Sequence, residues 1–84
     1  PIPAQYVSVD GGSVSFYVED DRVEVRVIVP GLGYSYVIDE SDDPTVLRVR
    51  FIPDPRLDGP ANAELSGAEA RWEDGELIVE TFGF

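Results

Sequence analysis

The stretch that decides the fold is Ser13-Val14-Ser15-Phe16-Tyr17-Val18-Glu19-Asp20-Asp21-Arg22-Val23-Glu24-Val25-Arg26-Val27-Ile28-Val29. Its first half alternates, with Val14, Phe16 and Val18 on one face and Ser13, Ser15 and Tyr17 on the other. Its second half does the same, with Val23, Val25, Val27 and Val29 opposite Arg22, Glu24 and Arg26. A period of two is the signature of a half-buried strand, because successive side chains leave a pleated backbone on opposite sides. Asp20-Asp21 sits between the two halves and makes a two-residue turn, since Asp tolerates turn backbone and hydrogen-bonds locally. With those two residues as the loop, Val18 faces Val23, Phe16 faces Val25 and Val14 faces Val27. The apolar faces then coincide, and a slip of one residue would put every apolar side chain on the wrong side.

Outward from this hairpin the same chemistry repeats. Tyr6 to Val9 is a weak first strand ahead of Asp10-Gly11-Gly12. Pro30-Gly31-Leu32-Gly33 ends the second arm of the hairpin, and Tyr34 to Asp39 is a short strand whose Tyr36, Val37 and Ile38 read as buried on both faces. Glu40 to Pro44 is an acidic turn. Thr45 to Ile52 carries Leu47, Val49 and Phe51 inward, with Arg48 and Arg50 outward to pair with acidic neighbours such as Glu24. Ala61 to Leu65 is a further candidate strand. The chain closes on a second hairpin, Ala68 to Glu73 and Glu76 to Phe82, around Asp74-Gly75, a pair suited to a type I′ turn. Its register sets Trp72 against Leu77 and Ala70 against Val79. No window shows the i, i+3, i+4, i+7 pattern of a helix. The expected fold is all-β: a single antiparallel sandwich of six to eight short strands, immunoglobulin-like in layout. Residues 1–12 read as an N-terminal segment with a weak edge strand, and 13–84 as the sandwich.

Composition excludes much chemistry. The 84 residues contain no Cys and no His, which removes disulfides, Cys/His zinc sites, imidazole proton transfer and Cys or Ser/His nucleophiles. All six basic residues are Arg, against 17 acids, for a net charge of −11. Such a surface repels phosphate backbones and anionic lipid, so neither nucleic acid nor membrane is an expected partner. No apolar run approaches the ~20 residues that span a bilayer, and Pro1-Ile2-Pro3-Ala4 lacks the basic and apolar regions of a signal peptide. A chain opening on Pro1 reads as a fragment, a processed product, or one that has lost its initiator.

Three segments together carry a family resemblance. Val23 to Gly31 resembles the alternating strand and Pro-Gly turn (Pro30, Gly31) of the alpha-crystallin domain of small heat-shock proteins. Val46-Leu47-Arg48-Val49 resembles the strand that follows it there. Ala70-Arg71-Trp72-Glu73-Asp74-Gly75-Glu76-Leu77 is similar to the family's A-x-x-x-(N/D)-G-x-L signature, carried by Ala70, Asp74, Gly75 and Leu77. Only Pro53 to Gly67 separates the second and third segments, shorter than the loop that dimers of the bacterial and plant branch exchange.

The resemblance implies a crystallin-like sandwich, a cytoplasmic stress-response chaperone without enzymatic activity, and ATP-independent holding of unfolded clients or partner peptides. It implies a peptide groove between the fourth strand and the first strand of the last hairpin, bordered by Tyr36, Ile38, Ala70 and Trp72. It also implies no cofactor and no metal. Edge strands must be paired or protected, so self-association as a dimer or larger oligomer is expected. Two other readings stand beside it. One is a structural sandwich subunit of an extracellular filament or virion, motivated by Pro1 to Ala4 and Phe82-Gly83-Phe84. The other is an accessory crystallin-like domain of a larger ATPase or co-chaperone.

The remaining candidates are weaker. Asp39, Glu40, Asp42 and Asp43 lack the spacing of a calcium loop and read as a solvated turn. Gly31-x-Gly33 has no helix after it to hold phosphate. Glu73 and Glu76 face each other across an exposed hairpin with no pocket implied.

Overall fold

A computed structural model describes residues 4–57 and 65–83. Seven strands follow one another: β1 (Gln5–Val9), β2 (Gly12–Glu19), β3 (Arg22–Pro30), β4 (Tyr34–Glu40), β5 (Val46–Pro53), β6 (Ser66–Glu73) and β7 (Glu76–Phe82). One 3₁₀ turn, Pro55–Leu57, follows β5 and was not foreseen from sequence. The strands form two antiparallel sheets, one in the order β1-β2-β3 and the other in the order β4-β5-β6-β7. Each element is joined by a ladder to its neighbour in sequence except across β3–β4, where the chain changes sheet. This is the expected antiparallel sandwich. Of the candidate strand Ala61 to Leu65, residues 61–64 lie outside the described residues, and Leu65 is not in a strand. Pro1, Ile2, Pro3 and Phe84 also lie outside them.

The two hairpin turns have the expected chemistry. Asp20 and Asp21 both adopt positive φ (53° and 58°), as do Asp74 and Gly75 (51° and 77°). Positive φ at both central residues is the type I′ geometry, whose twist matches that of the flanking strands. Val18 therefore faces Val23 and Phe16 faces Val25. Trp72 faces Leu77 and Ala70 faces Val79.

The expected partner of Val14 is not observed. Ser15 pairs with Val27 while Phe16 pairs with Val25, so Arg26 is an extra residue on β3 and Val14 faces Ile28. This β-bulge inverts the faces beyond it. Ile28 packs against the core, whereas Val27 and Val29 lie on the outer surface of the sheet, each about half exposed. Perfect alternation of Val along β3 is thus broken in the fold.

The core lies between the sheets. Val14 and Phe16 of β2 and Val23 of β3 meet Val49 and Phe51 of β5, Ala68 and Ala70 of β6 and Leu77 of β7. Fully burying a side chain such as Phe16 or Phe51 stabilises the fold by about 1.5–3 kcal/mol. Hydrogen bonds also tie the layers. Ser66, fully buried, accepts from the Gly11 N–H at 3.0 Å, and the Gln5 side-chain amide donates to the Leu77 carbonyl at 2.7 Å. At the other end of β3, Val23 N–H donates to Pro44 C=O at 3.0 Å. No buried side-chain polar atom lacks a partner among the described residues.

Candidate interaction surface

The outer face of the four-stranded sheet is a lattice of charge. Adjacent rows run Val37–Arg50–Gly67–Phe82 and Asp39–Arg48–Glu69–Glu80 across the strands. Arg50 clamps Asp39 with two hydrogen bonds, 2.6 and 2.9 Å, so that the Arg50 guanidinium holds the Asp39 carboxyl below its usual range. Arg71 reaches Glu80 at 2.8 Å. Arg48 lies over the Phe82 ring, 4.5 Å from its centre. Arg48 and Arg50 therefore do not turn to Glu24, which belongs to the other sheet. Gly67 is buried beneath this lattice: a Cβ there would collide with the Val49 carbonyl and the Phe82 ring, so the close approach requires glycine.

Charge collects at one end. The β2–β3 turn and the β4–β5 loop are held together by the Val23–Pro44 hydrogen bond, and the β6–β7 hairpin joins them through Trp72 N–H to Thr45 C=O at 2.8 Å. Glu19, Asp20, Asp21, Asp42, Asp43, Glu73, Asp74 and Glu76 are all exposed there. A 690 Å³ cleft opens between the first two loops, floored by Val23, Val46 and Leu47 and rimmed by Asp20, Asp21, Asp42 and Asp43. Its carboxylates do not converge. Asp43 instead accepts from the Thr45 N–H (2.9 Å) and hydroxyl (2.6 Å), and these bonds lower its pKa. Among the described residues no group of three acids is placed to hold a metal ion.

The residues expected to border a peptide groove are only partly brought together. Tyr36, Ile38, Ala70 and Trp72 do share the inner face of the four-stranded sheet. However, β5 lies between β4 and β6, so the two strands are not neighbours and the furrow expected between them is filled by Leu47, Val49 and Phe51. Ala70 is fully buried. Trp72 is half-buried and packs on the core. Of the motif residues, Leu77 is core, Asp74 and Gly75 form the turn, and Pro30 and Gly31 end β3.

Tyr36 and Ile38 are different. They stand at the rim, where β4 is the last strand of its sheet, with Tyr36 48% and Ile38 37% exposed. Val37, on the opposite face and not foreseen as a site residue, is also 37% exposed, so none of the three is buried as the run of apolar residues suggested: β4 has no strand on its outer side. The ladder fixes which backbone groups are free. Asp54 N–H donates to Gly33 C=O at 2.9 Å, and Tyr34 N–H donates away from β5, to Gly31 C=O at 3.0 Å. Bonded pairs alternate along an antiparallel ladder. Ser35, Val37 and Asp39 thus turn their N–H and C=O groups to β5, and Tyr36 and Ile38 turn theirs outward.

Each of the other three edges is interrupted at one point or is short. On β3 the Val23 N–H is taken by Pro44, Pro30 has no N–H, and the bulge at Arg26 bends the strand. On β7 the Leu77 carbonyl is taken by Gln5. The β1 strand is five residues long. Natural sheets use these devices to discourage pairing with another chain. From Tyr34 to Ile38, β4 has no charge, no proline and no bulge.

No family model, curated protein or solved structure matches this chain.

Proposed function

We propose that the chain is a non-enzymatic protein-binding module that takes an extended segment of another polypeptide along β4. The observation that carries this is the open edge at Tyr36-Val37-Ile38, where outward backbone groups lie beside exposed apolar side chains. Strand addition needs both: main-chain hydrogen bonds supply affinity, and alternate side chains supply selection. The segment it fits is uncharged and β-branched or aromatic at every second residue, the kind that unfolded clients expose. Holding such segments requires no ATP and no catalytic residue, in keeping with a holdase role. The pocket expected beside Ala70 and Trp72 has no part in it.

Ile38→Pro tests the reading. Its N–H points away from β5, so proline removes an edge donor without breaking a ladder bond inside the sheet. A labelled, uncharged, alternating apolar peptide is expected to bind the native chain by fluorescence anisotropy and to lose ~10-fold or more in affinity for Ile38→Pro. The native chain is also expected to suppress aggregation of a heat-denatured client, and the variant to fail. Equal binding by the two proteins, with native circular dichroism for both, would overturn the proposal.

A further inference from the structure

The β4 edge is complementary to itself. It runs from Tyr34 to Glu40, seven residues centred on Val37. Turning a second copy about a two-fold axis through Val37 sets Tyr36 opposite Ile38 of the other copy, and Ser35 opposite Asp39. The outward-facing residues of β4 are those at even positions, and this arrangement pairs even with even. Tyr36 and Ile38 would each exchange N–H and C=O bonds with the other's counterpart, while Val37 would meet its equivalent as a non-hydrogen-bonded pair.

The side chains agree with the backbone. Tyr36 and Ile38 lie on the inner face, at a rim where their own sandwich leaves them about half and a third exposed. Two copies bring four such side chains into one apolar cluster that bridges the two cores. No like charges are set opposite one another between Ser35 and Asp39. The antiparallel arrangement also points the two acidic ends in opposite directions, which lessens the repulsion between two chains of net charge −11. Shifting the centre by one residue, to Tyr36 or Ile38, leaves part of β4 without a strand opposite it.

We infer that the resting partner of the β4 edge is a second copy of this chain, paired antiparallel in the register centred on Val37 to give one continuous eight-stranded sheet. The inference deepens the proposed function and rests on its reading of β4 as a strand-accepting edge. It adds regulation: a foreign segment competes with the second copy for the same backbone groups, so the share of edges open to it, and with that the apparent affinity per chain, falls as protein concentration rises. An isologous interface of this kind closes at two copies and does not propagate into a filament.

The chain has no Cys, so single substitutions report the register cleanly. Non-hydrogen-bonded pairs bring Cα atoms to about 4.5 Å, within disulfide range. Val37→Cys is therefore expected to give a disulfide-linked dimer under mild oxidation, and Ser35→Cys, four positions from its own counterpart in this register, to stay monomeric in denaturing gels. Sedimentation of the native chain between about 1 and 500 μM is expected to show a monomer–dimer equilibrium, weakened ~10-fold or more by Ile38→Pro. A native chain that stays monomeric throughout, or cross-linking equal at positions 35 and 37, overturns the self-pairing. If the apolar peptide still binds in that case, the proposed function survives without it. If the dimer and its register are found but the peptide fails to bind at any protein concentration, the proposed function falls and the self-pairing stands.

Discussion

Ser66→Ala removes one atom and should cost far more than its size suggests. Ser66 is 1% exposed, and its hydroxyl accepts the N–H of Gly11, itself buried in the turn between β1 and β2. That bond pins the tip of one sheet to the first residue of β6 in the other. The Gly11 carbonyl is already engaged with Gly31 N–H at 2.8 Å, so the turn cannot swing outward to hydrate its donor without losing a second bond. Truncation leaves a buried N–H unpaired, at a cost of about 1–3 kcal/mol. For a domain of this size each kcal/mol lowers Tm by about 4–8 °C, so a fall of roughly 5–20 °C is expected. Thermal and urea unfolding, followed by Trp72 fluorescence and far-ultraviolet circular dichroism, would measure it. Ser8→Ala, on an exposed serine of β1, is the control and should stay within about 0.5 kcal/mol of the native chain. If Ser66→Ala is no more destabilising than Ser8→Ala, the link between the sheets does not stabilise the fold as argued.

Other substitutions test the turns, the outer lattice and the ion pairs. Asp20→Asn with Asp21→Gly should stabilise the fold by about 0.5–1 kcal/mol, because Asn-Gly adopts positive φ more readily than Asp-Asp; the urea midpoint should rise with an unchanged slope. Gly67→Ala should destabilise by about 1–3 kcal/mol or more, since the added methyl meets backbone and an aromatic ring at once; a neutral result in thermal unfolding would refute the packing of Phe82 over β6. Acid should weaken the fold through Asp39, Asp43 and Asp54, whose pKa values lie below the ordinary one because Arg50, Thr45 and Arg56 respectively donate hydrogen bonds to them. Their contribution is complete above about pH 4 and is lost as pH falls through the lowered values. Asp54→Asn should therefore flatten the loss of stability below pH 4 in an acid titration followed by circular dichroism.

Much of this architecture was legible in the residues. Asp20-Asp21 and Asp74-Gly75 between alternating runs specify two-residue hairpins, and two-residue turns fix register for several pairs on either side. Legibility ends where alternation stops discriminating. Val27, Ile28 and Val29 are all apolar, so either face of β3 can turn inward, and the bulge at Arg26 decides the matter through packing with Val14 rather than through pattern. The expected groove failed for a related reason. Strand order within a sheet depends on long-range pairing, and nothing near Tyr36 or Trp72 says that β5 will lie between them. The run Tyr36-Val37-Ile38 reads as buried on both faces yet lies exposed, because being at an edge is a property of the sheet, not of the strand's own sequence.

The uneven placement of carboxylates gives the molecule a built-in polarity. One end holds Glu19, Asp20, Asp21, Asp42, Asp43, Glu73, Asp74 and Glu76 beside Arg22, while Arg50 and Arg71 of the four-stranded sheet are each paired with an acid. A cationic polypeptide diffusing nearby is drawn toward that pole before any contact forms, and its arrival rate falls steeply as ionic strength rises. If β4 takes a strand as proposed, long-range attraction at the acidic pole would orient the approach and the uncharged edge would select what stays.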